Sequence, residues 1–280
     1  MTDDHRALTQ RLFPDVEIES FAPLGHGWTV ATYDVNGTWV VQFPRSDHAA
    51  ERLRAQIQLL PELSRELSAL VPVPERISLD PPAMLYAKLE GTAADQGPDG
   101  IWPERLGRFL YDLHLVPPEF VGMRAVPPAV VRDRLREGLG RVQAQVLPLL
   151  SPDEAARGDA LVSGFLDDDR LWSFATCLTH GDLQPEHVLV GAGGDLVGVL
   201  DWEEAGVGDP ASDFAWWLHA LPDQGERALA AYGGAPDAAF RQRARALHAL
   251  MPWHDVAHGL ATEQERLVAD GLGEVRARLA

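Results

Sequence analysis

Cysteine and lysine are almost missing from this chain. Cys177 is the single cysteine among 280 residues, which excludes an intrachain disulfide and a cysteine-based zinc site. Lys88 is the single lysine, so every other basic side chain is arginine. No apolar stretch reaches the roughly 18 residues that a membrane helix needs. The opening Met1-Thr-Asp-Asp-His-Arg6 has neither the basic nor the apolar region of a signal peptide. A soluble, reducing, cytoplasmic setting is therefore expected. Basic residues as a class are scarce too, 24 against 42 acidic ones, for a net charge of −18. Such a field repels nucleic acid and anionic membranes and attracts cationic partners at short range. Solubility alone accounts for it equally well.

What is present points to a folded enzyme-sized unit. Hydrophobic residues make up 46%, with eight Trp and nine Phe to fill a core. The length suits one large domain or two lobes around a shared cleft. Residues 5–13 read as a short amphipathic helix ended by Pro14. From 21 to 45 the pattern is β-like. Thr29–Val35 alternates, Asn36-Gly37 is a hairpin turn, and Thr38–Phe43 is a second strand. Leu53, Ile57, Leu60, Leu63 and Leu67 give residues 47–69 a helical period. After Val71-Pro-Val-Pro74 another strand pair ends in Met84–Leu89, and the Gly-, Pro- and Asp-rich stretch 92–103 reads as a linker. Helices are expected over 103–115, 129–150, 152–166, 211–220 and 237–270, with one hairpin of Val188–Val190 and Val197–Leu200 around Gly191–Gly194. The expected fold is α+β and two-lobed, with a β-rich lobe over 1–90 and a mostly helical lobe over 91–280.

The chemistry concentrates in His180-Gly-Asp-Leu-Gln-Pro-Glu-His187, followed by the hairpin that ends at Leu200-Asp201-Trp202. Phosphoryl transfer needs a carboxylate to orient and deprotonate the incoming hydroxyl, and acidic or polar ligands for the metal bridging the phosphates. A base and a ligand five residues apart on one tight loop can face a single site from two sides. A hairpin then returns the second ligand. The protein-kinase pattern H-R-D-x-x-x-x-N with a later D-F-G has this spacing. In that register Asp182 is the base, His187 takes the Asn position and Asp201 the D-F-G aspartate. Oxygen ligands suit Mg²⁺ better than a neutral imidazole, so the competing reading of His187 is a hydrogen-bonded loop histidine.

The run HGDLQPEHVLV…GVLDWEEAGVGDPASDFAW resembles the aminoglycoside phosphotransferase family, including its macrolide 2′-phosphotransferase branch. The resemblance spans most of the chain, with its specific motifs within 166–217. It implies a protein-kinase-like fold, Asp182 as catalytic base, and His187 and Asp201 as Mg²⁺ ligands. Asp213 would brace the catalytic loop, which His180 holds by hydrogen bonds. Gly25 and Gly27, in Leu24-Gly-His-Gly-Trp28, would form the loop over the phosphates of ATP or GTP. Backbone groups of Ala87 to Leu89 would meet the nucleobase, and Leu189 and Leu200 fall to the same nucleotide site. The family's V-x-[KR]-x-P-R pattern reads Val40-Val-Gln-Phe-Pro-Arg45 here, with Gln42 in the cationic slot. The helical acid that would pair with that cation falls at or near Gln56. Arg45, or Gln42 with magnesium, would then serve the phosphates.

Carboxylates surround the motif: Asp167, Asp168 and Asp169 before it, and Glu203, Glu204, Asp209 and Asp213 after. Together with Trp216, Trp217 and Trp253-His254-Asp255 they are the candidates for the acceptor cleft. Helix caps, solvated faces and core packing are the ordinary alternatives for each. The expected activity is transfer of a γ-phosphoryl group to a hydroxyl of a cationic antibiotic, an aminoglycoside or a viomycin- or capreomycin-type cyclic peptide. A macrolide 2′-phosphotransferase, a housekeeping small-molecule kinase and a nucleotide-binding pseudokinase are the rivals. The protein is expected to act as a monomer on nucleotide and antibiotic, with no nucleic-acid or membrane partner.

Overall fold

The computed structural model describes residues 2–25 and 27–279. His26, inside the expected phosphate loop, lies outside the described residues. Strands β1 (Phe21–Pro23), β2 (Val30–Val35), β3 (Trp39–Pro44), β4 (Arg76–Leu79) and β5 (Pro82–Ala87) form an antiparallel sheet in the order β1-β2-β3-β5-β4. Asn36 and Gly37 both take positive φ, 61° and 71°, as the tight turn between β2 and β3 requires. Helices cover both faces of this sheet, which is why its strands read as nearly continuous apolar runs. Helix α1 (Thr2–Leu12) lies against Ala31, Tyr33, Val41, Phe43 and Leu85. Helix α2 (Asp47–Glu66) sends Leu53, Ile57 and Leu60 into the cluster that holds Val40, Met84 and Tyr86. Period-two alternation along β3 puts Gln42 on the α2 side with Val40.

That second cluster runs on without a break into the remaining chain, through Phe109, Leu113, Leu178, Val188, Trp202, Phe214 and Trp217. Residues 92–103 are not the free linker that composition suggests. Strand β6 (Thr92–Ala93) pairs with β8 (Val188–Val190), which pairs with β9 (Leu196–Val199). Gly100 meets Gly194 so closely that a Cβ on Gly100 would stand 2.1 Å from the Gly194 carbonyl oxygen. Strand β7 (Cys177–Thr179) forms a two-stranded ribbon with β10 (Gly206–Gly208). The helices after the sheet are α3 (Trp102–Leu115), α4 (Pro128–Val146), α5 (Pro152–Leu166), α6 (Ala215–Ala220), α7 (Pro222–Ala231), α8 (Phe240–Ala261) and α9 (Glu265–Leu279). The single helix expected over 237–270 is thus two, broken at Thr262–Gln264, where Glu263 has φ of 56°. Helices α4, α5, α8 and α9 enclose a second core around Leu139, Val146, Phe165, Leu250, Trp253 and Val275. None of the described helices is long and apolar enough to cross a membrane.

Acid will loosen the contact between α6 and α8 before most carboxylates titrate. His248 on α8 packs between Trp216 and His219, at centroid distances of 5.8 and 5.3 Å. Burial, then the Arg278 charge, lowers its pKa from 6.5 to about 4. Between those values the unfolded chain binds a proton that this native histidine refuses, so its contribution to stability is lost as pH drops from 6.5 to 4 and is constant above that window. Urea denaturation at pH 7.0 and 4.5 should differ by roughly 2 kcal/mol more in the wild type than in His248→Gln.

Candidate active site

The segment between β7 and β8 carries the His-Gly-Asp motif, and buried bonds fix its backbone from beneath. Asp213 is fully buried, and its carboxylate accepts the backbone N–H groups of His180 and Gly181, both at 2.9 Å. His114 of α3 lies 3.1 Å from the same carboxylate through Nε2, while its Nδ1 is 2.8 Å from the Tyr232 hydroxyl. Burial opposes the charge on Asp213, but the His114 contact and the backbone donors outweigh it and hold the group below the usual carboxylate range. His180 is also fully buried, with Nε2 2.8 Å from the Leu200 carbonyl. Burial holds its ring below the ordinary histidine range against the pull of Asp213. The His180 imidazole therefore ties the start of this loop to the end of β9, and Asp213 ties it to the segment before α6.

The three side chains expected to share a centre do converge. The His187 ring places Nδ1 2.7 Å from the Asp182 carbonyl, which leaves Nε2 facing Asp201, 3.4 Å from its Oδ2. Nδ1 is also 4.0 Å from the Asp182 carboxylate, whose Oδ1 accepts the Gln184 amide at 2.8 Å. The β8–β9 hairpin supplies the return: Leu200 N donates to His187 O at 2.7 Å, so Asp201 follows directly beside His187. Asp201 adopts φ of 62°, an uncommon conformation for a residue with a Cβ and one found at sites where a side chain must be aimed. Gly181 has φ of 87°, and a Cβ there would meet the Glu204 carbonyl oxygen at 2.4 Å, so only glycine lets the two loops touch.

Among the described residues no three His, Cys, Asp or Glu side chains form a metal cage. An imidazole nitrogen and a carboxylate oxygen facing each other at 3.4 Å would supply two ligands to an Mg²⁺ otherwise held by water and phosphate oxygens, the carboxylate being the better of the two. The residues present fit that ion.

Across the cleft, the loop before β2 reaches over these residues. Arg45 Nε donates to the carbonyls of Gly27 and Val30, at 3.1 and 3.3 Å, and so props the glycine loop from its base. Trp28 stacks flat on His258 of α8, with centroids 3.9 Å apart and planes inclined by 3°. The Thr29 hydroxyl donates to the Glu203 carboxylate. Burial, then the adjacent Asp201 charge, pushes Glu203 up to about 7 against that bond. Gln42 faces α2 with Oε1 buried and unpartnered, its Nε2 3.5 Å from Thr32 Oγ1. Ala87 ends β5, while Leu89 lies against Gly198, and Leu189 against Gly91. Lys88 pairs with Asp34 at 2.6 Å, away from the motif.

Residues 20–253 match the sequence profile of the phosphotransferase enzyme family, abbreviated APH. The chain belongs to this family. Family members are phosphotransferases, and this protein is one. It is 25% identical to viomycin phosphotransferase of Streptomyces vinaceus over 290 aligned residues, which span 98% of this chain and 99% of that one. It is 26% identical over 258 residues to the uncharacterized protein YcbJ of Bacillus subtilis (strain 168), 83% of this chain and 80% of YcbJ. The GDP and kanamycin complex of APH(2″)-IIIa has the same fold, with a TM-score of 0.87 at 22% identity and 98% of each chain covered. The apoenzyme of a macrolide 2′-phosphotransferase from Brachybacterium faecium gives 0.73 at 26%, again with 98% of each covered.

Within this phosphotransferase several expected acceptor contacts move elsewhere. Asp209 is buried and gripped by Arg243, with Nε–Oδ2 at 2.6 Å and Nη2–Oδ1 at 3.1 Å, so it braces the segment before α6. Trp217 and Trp253 are fully buried in the two cores, and only Trp216 of the tryptophan pair keeps an exposed edge. Asp167 and Asp169 pair with Arg136 and Arg132 of α4. Asp168 caps the short turn at Asp169–Trp172 and pairs with Arg170. Glu204 is engaged by Arg52. His254 and Asp255 of α8 lie near enough to Asp182 for its charge to act on both. Arg52 of α2, Trp28 and His258 were missed. Their partners lie far away in sequence, and no local pattern marks an arginine on a helix as a cross-cleft contact.

Proposed function

We propose that this phosphotransferase moves the γ-phosphoryl group of ATP or GTP to a hydroxyl of a cationic antibiotic. The observation that supports this acceptor class is the acidic rim around Asp182. Asp201, Glu203 and Asp255 make up that rim, with the charges of Glu203 and Asp201, and of Asp255 and Asp182, close enough to oppose one another. A polycation relieves that repulsion on binding, and the net charge of −18 attracts it from a distance.

Asp182 receives the hydroxyl proton as the phosphoryl group leaves, in the role of the catalytic-loop aspartate of kinases. His187 and Asp201 would hold Mg²⁺ against the phosphates, where the ion neutralises developing charge. The glycine loop, with backbone N–H groups at Gly25 and Gly27, covers the phosphates, and the chain from Ala87 to Leu89 borders the nucleobase beside Leu189 and Leu200. The N-terminal lobe, residues 1–90, thus serves the nucleotide, and residues 91–280 carry the catalytic loop and the acceptor site.

Purified protein incubated with Mg-ATP or Mg-GTP and a panel of antibiotics should give a mass gain of about 80 Da on an aminoglycoside or cyclic-peptide antibiotic. A gain on macrolides alone would transfer the reading to that class. Nucleotide binding with no phosphorylated product from the panel would overturn it. Gln42→Ala should weaken nucleotide affinity about tenfold by calorimetry, the worth of one hydrogen bond to a charged group. Unchanged affinity would assign the phosphates to Arg45 or to metal alone.

A further inference from the structure

In protein kinases a lysine on the third strand and a glutamate on the following helix form an ion pair that must be in place for turnover. Here β3 offers Gln42 and α2 offers the buried Gln56, and two amides cannot make that pair. One turn before Gln56, on the same face of α2, Arg52 makes a different connection. Its Nη1 pairs with the Glu204 carboxylate and lies 3.5 Å from the Glu203 carbonyl, while its Nε donates to His48 Nε2 at 3.0 Å, one turn earlier on the helix.

Glu204 is three residues past Asp201, and its own carbonyl rests against Gly181, next to Asp182. A single side chain on α2 therefore touches the loop that follows one expected metal ligand, and that loop touches the one that carries the base. Thr29 adds a second tie from the nucleotide side to Glu203.

We propose that Arg52 is a positioning residue which clamps α2 onto the Glu203–Glu204 loop, holding Asp201 and Asp182 in register in place of the absent strand–helix ion pair. A guanidinium suits the task, because it is charged at every accessible pH and its planar fork spans two acceptors at once. The pair is partly exposed, with 27% of the Arg52 side chain and 45% of that of Glu204 accessible. Such a pair adds little to global stability, so its loss should register as misplacement and leave the melting temperature alone.

The inference rests on the phosphotransfer reading above, and its test keeps the two apart. Arg52→Gln and the reversed pair Arg52→Glu with Glu204→Arg would be compared with the wild type. The measurements are melting temperature, backbone hydrogen exchange across residues 199–205 with Mg²⁺ and nucleotide bound, and turnover of whichever acceptor the wild type phosphorylates. Arg52→Gln should exchange at least about fivefold faster in that segment and lose kcat by about tenfold or more. Its melting temperature should stay within about 2 °C. The reversed pair should restore both protection and kcat to within about threefold. Exchange unchanged in Arg52→Gln, or a reversed pair no better than the single variant, overturns the clamp. The exchange comparison reads the clamp even if no antibiotic proves to be an acceptor, the outcome that would sink the functional reading alone.

Discussion

Asp182→Asn should lower kcat by about 10²–10⁴-fold while nucleotide affinity stays within about twofold. Asparagine matches the aspartate in shape, and its side-chain oxygen can still accept the Gln184 amide that holds Asp182 at 2.8 Å. The loop's anchors are elsewhere: Asp213 holds the backbone at 180 and 181, and the His187 ring meets the residue 182 carbonyl. The substitution therefore removes one property, the ability to take a proton from an incoming hydroxyl. His187 and Asp201 are untouched, so whatever they contribute to holding the nucleotide persists. Steady-state kinetics with calorimetric nucleotide titration separate the two effects. A variant with kcat within about threefold of the wild type would remove Asp182 from the proton-accepting role.

The largest effect on stability should come from Arg243, which no catalytic argument involves. Its side chain is wholly inaccessible and bridges Asp209 and Asp237, at 2.6 Å from Nε to Asp209 and 2.8 Å from Nη2 to Asp237. The guanidinium also lies 4.3 Å over the Phe174 ring. Burial, and to a lesser degree the Asp237 charge, raises the Asp209 pKa, and Arg243 is the main influence that counters them. Removing the arginine strands a buried carboxylate, so Arg243→Met should cost about 3–5 kcal/mol and lower Tm on the order of 10 °C. Converting Asp209 and Asp237 to Asn in the same background should recover part of that loss, because the penalty comes from the orphaned charge. A single variant that melts within about 2 °C of the wild type would contradict the assignment of Asp209 to the scaffold.

The legible parts of this protein were those decided by neighbours in sequence. Asn36-Gly37 announced its hairpin because only such residues take two consecutive positive φ values cheaply. The leucines of α2 announced a helix by their spacing. Asp182 and His187 sit on one loop, and a hairpin of known length returns Asp201 to it, so their convergence could be read from spacing. Other features depend on contacts the sequence does not encode locally. Residues 92–103 have the composition of a linker, yet Gly100 and Gly194 interlock and β6 joins a sheet with residues almost a hundred positions on. Asp209 looked like an acceptor contact because it follows Asp201 closely in sequence. Its partner, Arg243, lies 34 positions away and draws it into the core. Trp217 and Trp253 went the same way, their apolar bulk outweighing any use in a cleft. The break between α8 and α9 is polar and short, and nothing in the hydrophobic period across it signals an end.

A crystal structure with Mg²⁺ and a non-hydrolysable nucleoside triphosphate tests the central arrangement most directly. It should show His187 and Asp201 contacting one ion on the phosphates, with the Asp182 carboxylate facing the terminal phosphate from the acceptor side. Nucleotide bound away from this loop, or an ion held without either side chain, would contradict it.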